Sequence, residues 1–337
     1  MLKSKKFWFG LIISIICLYY SFKGIKLNEI IIALKQVNYF YLIPALFFVI
    51  ITLWTRTIRW KFLIKDHQKI KFYDIWVVNC IGFMALFTLP ARLGDLLRAY
   101  LLGKRVNIKK MMVLSTIVLE RVFDGIASIL LFLFALILYP IAHLENINNI
   151  NFNKIIIYIS TFYGGVLLVL ILIKIFSKQA KIIFSFILHK LIPFSGNFIF
   201  KLENFFNSFI EGLDTLGSFL YFIRIIILSI IVWLINGIPA YFTILAFNLP
   251  MNFWQAIILN GFLVFAVMIP AAPGFIGTYH ITAQLVLSMY NVQGADALSF
   301  AWILWLIGFI VDVAAGLFYL YKEKMNLIAI EKEATNE

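Results

Sequence analysis

Six charged side chains crowd two stretches of an otherwise apolar chain. Arg92, Asp95 and Arg98 lie in FTLPARLGDLLRAYLL, and Glu120, Arg121 and Asp124 follow in VLERVFDG. Ionisable groups in so apolar a setting are expensive, so each calls for a partner or a ligand. Glu120 and Asp124 stand four apart and share a helix face, while Arg121 is turned about 100° from Glu120. Two chemistries fit. Arg92, Arg98 and Arg121 can hold a phosphate, since a guanidinium fork grips two oxygens at once, with Asp95, Glu120 and Asp124 orienting them or meeting a cationic headgroup. Alternatively, the charges neutralise one another and pin neighbouring elements together. A thinner group comprises Thr278, His280, Gln284 and Asp312. His280 and Gln284, four apart, can face one cavity. A lone histidine in an apolar helix is more often packed than titrating. Asp312 has no charged neighbour in sequence and is expected to find a partner across the fold, in His280 or in Arg92 or Arg98.

The elements that position these groups are set by composition. Of 337 residues, 63% are hydrophobic and 13% charged, with a mean hydropathy of +0.97. No soluble domain of this length covers so much apolar surface. Apolar blocks at Phe7 to Phe22, Tyr39 to Ile58, Val113 to Tyr139, Ile155 to Phe176, Ile225 to Phe247 and Leu298 to Tyr321 are long enough to cross a hydrocarbon core, which takes about 20 helical residues. The start, Met1 to Lys6 before Phe7 to Tyr20, resembles a signal peptide, but no small-residue cleavage site follows, so a retained first helix is expected. The net charge of +13 lies between the apolar blocks rather than on one basic face. It therefore reads as topology and lipid-headgroup signals, and nucleic acid is not an expected partner.

Two further apolar stretches, Tyr73 to Leu102 and Trp254 to Tyr290, are broken near the middle by proline and glycine. Proline removes a backbone donor and glycine permits positive φ, so each is expected to fold as two half-helices around an unwound elbow. The elbows carry Pro90, Gly94 and Asp95 in one case, and Pro273, Gly274, Gly277 and Thr278 in the other. At membrane depth such breaks survive only inside protein or beside a wet cavity. With a cytoplasmic N-terminus, six spans and two re-entrant hairpins, the inner segments hold 22 of the 29 lysines and arginines, Arg56 and Arg59 among them, and the outer segments four. That bias fixes an orientation with both termini cytoplasmic, in a multi-pass protein of the cell membrane. It also makes the first hairpin enter from inside and the second from outside.

The fold class is thus all-α, a polytopic helical bundle of about six spans plus two re-entrant broken-helix hairpins. It forms a single transmembrane domain whose pseudo-repeats, at about 1–150 and 151–321, are related as inverted repeats. Residues 177–222 are expected to be cytoplasmic amphipathic helices, Lys23 to Val37 an outer counterpart, and 322–337 a poorly ordered cytoplasmic tail. No catalytic residue, metal site or cofactor is indicated. There is no Walker loop, nucleophile elbow or zinc motif, and Cys17 and Cys80 are isolated in apolar runs. Glu120 with Asp124 alone makes a poor acid and base pair, so an enzyme is disfavoured.

PARLGDLLRAYLL, ERVFDG and PAAPGFIGTYH, in that order, resemble the transmembrane region of the lysylphosphatidylglycerol synthase family, the flippase-like domain proteins. The resemblance runs from about the second span to the last. It implies an inner-membrane protein that moves an anionic or aminoacylated lipid between leaflets. The family's motifs fall on Pro90, Arg92, Gly94, Asp95 and Arg98, on Glu120, Arg121 and Asp124, and on Pro273, Gly274 and Gly277. Asp95 replaces a common glutamate, while Phe275 and His280 stand where a glycine and a glutamate are usual, so the second site differs in charge. Full-length members append an aminoacyl transferase domain. None follows here, so a stand-alone member that does not make the lipid is expected.

The leading expectation is a flippase-like transporter of an anionic or aminoacylated phospholipid or a polyprenyl-phosphate glycolipid, with a membrane lipid as partner and no cofactor. The alternative is a non-catalytic scaffold or accessory subunit docked to a lipid-synthesis enzyme. A homo-oligomer fits either, and a lipid-phosphate enzyme ranks third.

Overall fold

In the computed structural model the described residues are 5–64, 70–89, 93–139, 175–191, 219–267 and 271–327, with scattered positions between 161 and 210. They form helices α1 (Lys5–Phe22), α2 (Leu27–Lys35), α3 (Leu42–Leu63), α4 (Phe72–Thr88), α5 (Leu93–Val106), α6 (Lys110–Leu138), α7 (Ser177–Leu191), α8 (Phe219–Ala246), α9 (Phe253–Ala266), α10 (Thr278–Ser288) and α11 (Gly294–Lys322), with short turns at Tyr39–Tyr41 and Pro273–Phe275. No strand occurs among them. Four helices are long and apolar enough to span a membrane, ending at Leu63, Leu138, Ala246 and Lys322, and a fifth span is possible if α1 and α2, bent by 77°, count as one. The fourth expected span, Ile155 to Phe176, lies almost wholly outside the described residues, as do Pro90, Arg92 and the loop HLENINNINFN. Residues 177–191 are helical as expected. The C-terminal segment begins in order rather than as a loose tail, with Lys324 and Met325 bonding back to Tyr321 and Leu320.

Both interrupted stretches fold as separate helices that turn back on themselves. Gly82 on α4 abuts Gly94 and Arg98 on α5, and a Cβ at Gly94 would overlap the Gly82 carbonyl and the Leu86 amide. This near-contact of backbones lets α5 run back along α4 until Arg105 reaches Asp74. Gly94 therefore serves as a packing point within the first turn of α5, whereas Gly277 immediately precedes α10 with φ of 93°. A side chain there would be strained and would also strike the Ser14 backbone on α1. The second hairpin starts on a reciprocal cap, with the Asn252 side chain accepting from the Gln255 amide at 3.1 Å and the Gln255 side chain accepting from the Asn252 amide at 2.7 Å.

The packing is tightest where α4 meets α11 and α3 meets α8. Tyr73 stacks edge-on to Tyr319 at one end of α4, and Phe87 to Trp305 at the other, so α4 and α11 run antiparallel. Likewise Phe48 meets Phe242, and the Tyr221 hydroxyl donates to the Phe62 carbonyl, which makes α3 antiparallel to α8. At the Tyr73 end Arg105 ties Asp74 at 2.6 Å and Glu323 at 2.8 Å, clamping α4, α5 and the end of α11. The hydrogen bond from Arg105 holds the Glu323 carboxyl below its ordinary range. A depressed carboxylate pKa stabilises above the unfolded value, and that stability is lost as pH falls through the folded one. Glu323→Gln is therefore expected to lower the melting temperature in detergent at pH 7 by about 1–3 °C. The difference should shrink as pH falls below the ordinary glutamate range and close once it has passed the lowered folded value, where both proteins lack the charge.

Candidate functional site

The charged cluster forms where α3, α5 and α6 pack together midway along the bundle. Glu120 is completely buried and receives three arginines. Arg98 Nη2 lies 2.7 Å from its Oε2, Arg121 Nη2 2.8 Å from its Oε1, and Arg59 Nη2 3.4 Å from the same oxygen. Asp124 accepts Arg59 Nη1 at 2.6 Å and the Trp233 indole at 2.9 Å, with Arg121 Nη1 3.5 Å from its other oxygen. Asp95 closes the ring, 3.5 Å from Arg98 and 3.6 Å from Arg121. Arg98 is held further by the Trp60 face, 4.2 Å from its guanidinium carbon. Three arginines thus meet three carboxylates, so the set is neutral as well as hydrogen-bonded, the condition under which buried charges are tolerated.

Arg59 and Arg56 correct the sequence reading, which counted both as flanking inner charges. α3 continues to Leu63, so both side chains lie inside the bundle, Arg59 fully buried. A signal was present: Thr52, Arg56 and Arg59 follow the i, i+4, i+7 spacing of one helix face within TLWTRTIRW. The run of lysines just beyond masked it.

Beside the cluster lies a cavity of about 330 Å³, within the range of small-ligand pockets. Arg121 and Asp124 of the cluster reach it, together with Thr52 and Arg56 on α3, Phe83 and Phe87 on α4, Trp233 and Asn236 on α8, Asn260 on α9, Tyr279 on α10, and Trp305 and Asp312 on α11. Arg98, Glu120 and Asp95 are absent from its wall. The end of α4 and the middle of α11 meet the second elbow at its edge, where Phe87 packs edge-on to Phe275 with ring centres 6.4 Å apart and the Trp305 indole donates to the Gly274 carbonyl at 2.7 Å.

The second group of expected site residues divides. Asp312 faces the cavity. Thr278 is buried and its hydroxyl donates to the Phe275 carbonyl at 3.2 Å. His280 is buried against Trp302, with ring centres 3.9 Å apart, and its Nδ1 accepts from the Gly277 amide at 3.4 Å. These two shape the elbow and the start of α10, and His280 is not the partner of Asp312. Among the described residues Asp312 makes no ion pair or hydrogen bond, and Arg56 has one polar partner, the Asn236 side-chain oxygen at 3.4 Å. Its Nε is buried without a hydrogen bond. No group of three or more metal-ligating side chains occurs among the described residues.

The comparisons agree with this picture. The chain is 28% identical over 249 residues to the UPF0104 membrane protein MJ1078 of Methanocaldococcus jannaschii, a match covering 74% of this chain and 96% of that one. No solved structure matches. The model of the lysylphosphatidylglycerol synthase TM region matches residues 7–316, which includes both hairpins, the ion cluster and Asp312, and the chain is therefore a membrane protein of that family.

Proposed function

We propose that this protein carries an anionic or aminoacylated phospholipid, or a polyprenyl-phosphate glycolipid, across the cytoplasmic membrane by receiving its headgroup in the central cavity. The observation that carries this reading is the cavity itself. It lies midway along the spanning helices, between two broken hairpins, and one arginine on its wall, Arg56, has a single long hydrogen bond to Asn236 and no carboxylate partner. Arg56 and Arg121 are the phosphate ligands we favour. Arg98 and Glu120, and Asp95 through Arg98 and Arg121, act from behind the wall by holding Arg121 and Arg59 in place. Thr278 and His280 support the second elbow.

Alternating access fits an inverted-repeat organisation. Pairing α3 with α8, α4 with α9, α5 with α10 and α6 with α11 maps the main helix contacts onto one another: α4 on α11 corresponds to α9 on α6, α3 on α4 to α8 on α9, and α6 on α8 to α11 on α3. The pair made of equivalent helices, α3 and α8, is antiparallel. A two-fold axis in the membrane plane requires that, while repeats of parallel topology would place the equivalent helices parallel. Moving Arg56 and Arg59 into the bundle leaves the inner excess of basic charge intact, so cytoplasmic termini remain the favoured orientation. The scaffold reading accounts for Arg59, Arg98 and Glu120, but it gives no reason for the cavity or for its uncommitted donors.

Purified protein in liposomes is expected to accelerate the exchange of fluorescent phospholipids between leaflets, read as dithionite-accessible fluorescence, with the largest acceleration over empty liposomes for phosphatidylglycerol or its aminoacyl ester. Exchange no faster than in empty liposomes for all headgroups, from protein that remains monodisperse and folded, would overturn the transport reading.

A further inference from the structure

Among the described residues, charge matching inside the bundle leaves one residue of each sign unused. Arg59, Arg98 and Arg121 are satisfied by Asp95, Glu120 and Asp124. Arg56 on α3 and Asp312 on α11 remain, both on the cavity wall and from different halves of the chain. Asp312 is only 8% exposed. Arg56 is within electrostatic reach and is the cation that offsets its charge. A carboxylate at such depth stays ionised only while a positive charge compensates it.

Resting on the transport reading, we propose that Asp312 is the proton-binding carboxylate of the cavity, taking up one proton when a phosphate-bearing headgroup engages Arg56. The phosphate then takes the positive field that Asp312 had been using. The uncompensated carboxylate binds a proton from water and becomes a neutral acid able to donate a hydrogen bond. Headgroup and proton bind together, and a proton gradient across the membrane thereby drives the lipid in one direction. The linkage is reciprocal, so lowering pH tightens binding of the anion.

The surroundings of Asp312 single it out among the ionisable groups on the elements packed against α11. On α3, Arg59 is committed to Asp124, and Arg56 is the group invoked. On α4, Cys80 is a buried thiol within reach, while Tyr73 and Asp74 lie at the clamped end. Tyr279 on α10 shares the cavity, whereas His280 is stacked on Trp302. α8 contributes the neutral Asn236 to the cavity and carries Arg224 beside Phe62 at its far end. α2 carries Glu29 and Lys35, both exposed. Across the cavity Asp124 is held by Arg59 and Arg121, so its charge is already compensated.

The probe is dioctanoyl phosphatidylglycerol, whose phosphodiester does not titrate near neutrality. Its binding to the purified full-length protein is measured by calorimetry at pH 7 in two buffers of different protonation enthalpy. The wild type is expected to take up close to one proton per lipid bound and to lose about tenfold in affinity from pH 7 to pH 8. Asp312→Asn is expected to bind with no proton uptake and a flat pH profile, at an unchanged or higher melting temperature. Wild-type binding without proton uptake, or uptake that persists in Asp312→Asn, would overturn the proton role and leave the transport reading standing. No binding by the wild type at any pH would overturn both.

Discussion

Arg59→Leu is expected to collapse the fold, with a melting temperature in detergent lowered by 10 °C or more, or loss of monodisperse protein altogether. Arg59 is fully buried and is the shortest contact of Asp124, at 2.6 Å, as well as a neighbour of Glu120 and Ser229. Removing one partner of a buried ion network leaves an uncompensated charge and costs about 3–5 kcal/mol. At roughly 2–4 °C per kcal/mol for a domain of about 150–250 residues, that loss is of order 10 °C. The mechanism is checked by removing charge in pairs. Arg59→Leu combined with Asp124→Leu is expected to recover much of the lost stability, because replacing a whole buried pair with apolar groups is often neutral. If the double variant melts no higher than Arg59→Leu alone, the loss lies in packing rather than in stranded charge. Arg59→Lys should fall between, since a point charge cannot reach Asp124 and Glu120 together as a planar fork does.

Arg56→Gln, three residues away, is expected to do the reverse. Its long hydrogen bond to Asn236 and its seat over Phe83 contribute little to the fold, and Asp312, once stripped of the compensating charge, can take up a proton, so the variant should melt within a few degrees of the wild type. Leaflet exchange of phosphatidylglycerol in liposomes should nevertheless fall roughly 10–100-fold, since a hydrogen bond to a charged group is worth about 1.5–3 kcal/mol and 1.4 kcal/mol is a factor of ten. Exchange unchanged in Arg56→Gln would remove this residue from the headgroup site. A parallel fall in exchange and stability would assign it to the scaffold with Arg59. One helix face thus carries a residue that builds the protein and a residue that works in it, and the two variants tell them apart.

These opposite expectations for neighbours explain what could be read from the chain and what could not. Period, length and breaker residues located the helices well. The Pro/Gly interruptions after Thr88 and Ala266 do separate half-helices that fold back, because a missing donor and a positive φ are local properties. That Arg121, Asp124 and Asp312 sit inside the bundle was equally visible, since charge within an apolar run is conspicuous. Partnership was not. Arg98 and Arg121 carry the same charge and lie near the same carboxylate, yet one is sealed behind Trp60 and the other reaches the cavity. That difference is decided by which face of α5 meets α4, a contact set by Gly82 and Gly94 together. Arg56 and Arg59 were hidden by a different ambiguity. A basic residue near the end of an apolar run marks either a boundary or an interior, and only the helix continuing to Leu63 tells which. Asn236, Asn260 and Trp233 were missed because single neutral polar or aromatic residues in a span carry no signal until another helix faces them.

The seat of α1 has a consequence for how the chain is made. Ser14 accepts the amide of Ala272 at 2.8 Å, and α1 packs along α10, so a helix made early docks against one made much later. Until the second hairpin is synthesised, α1 must wait in the membrane with Ser14 unmet, held near its site only by the intervening helices. Closing so long a loop is slow but adds little free-energy penalty beyond that of a shorter one. Once it closes, α1 acts as a strap over the second elbow, and the docking of this earlier helix decides when that elbow acquires its final shape.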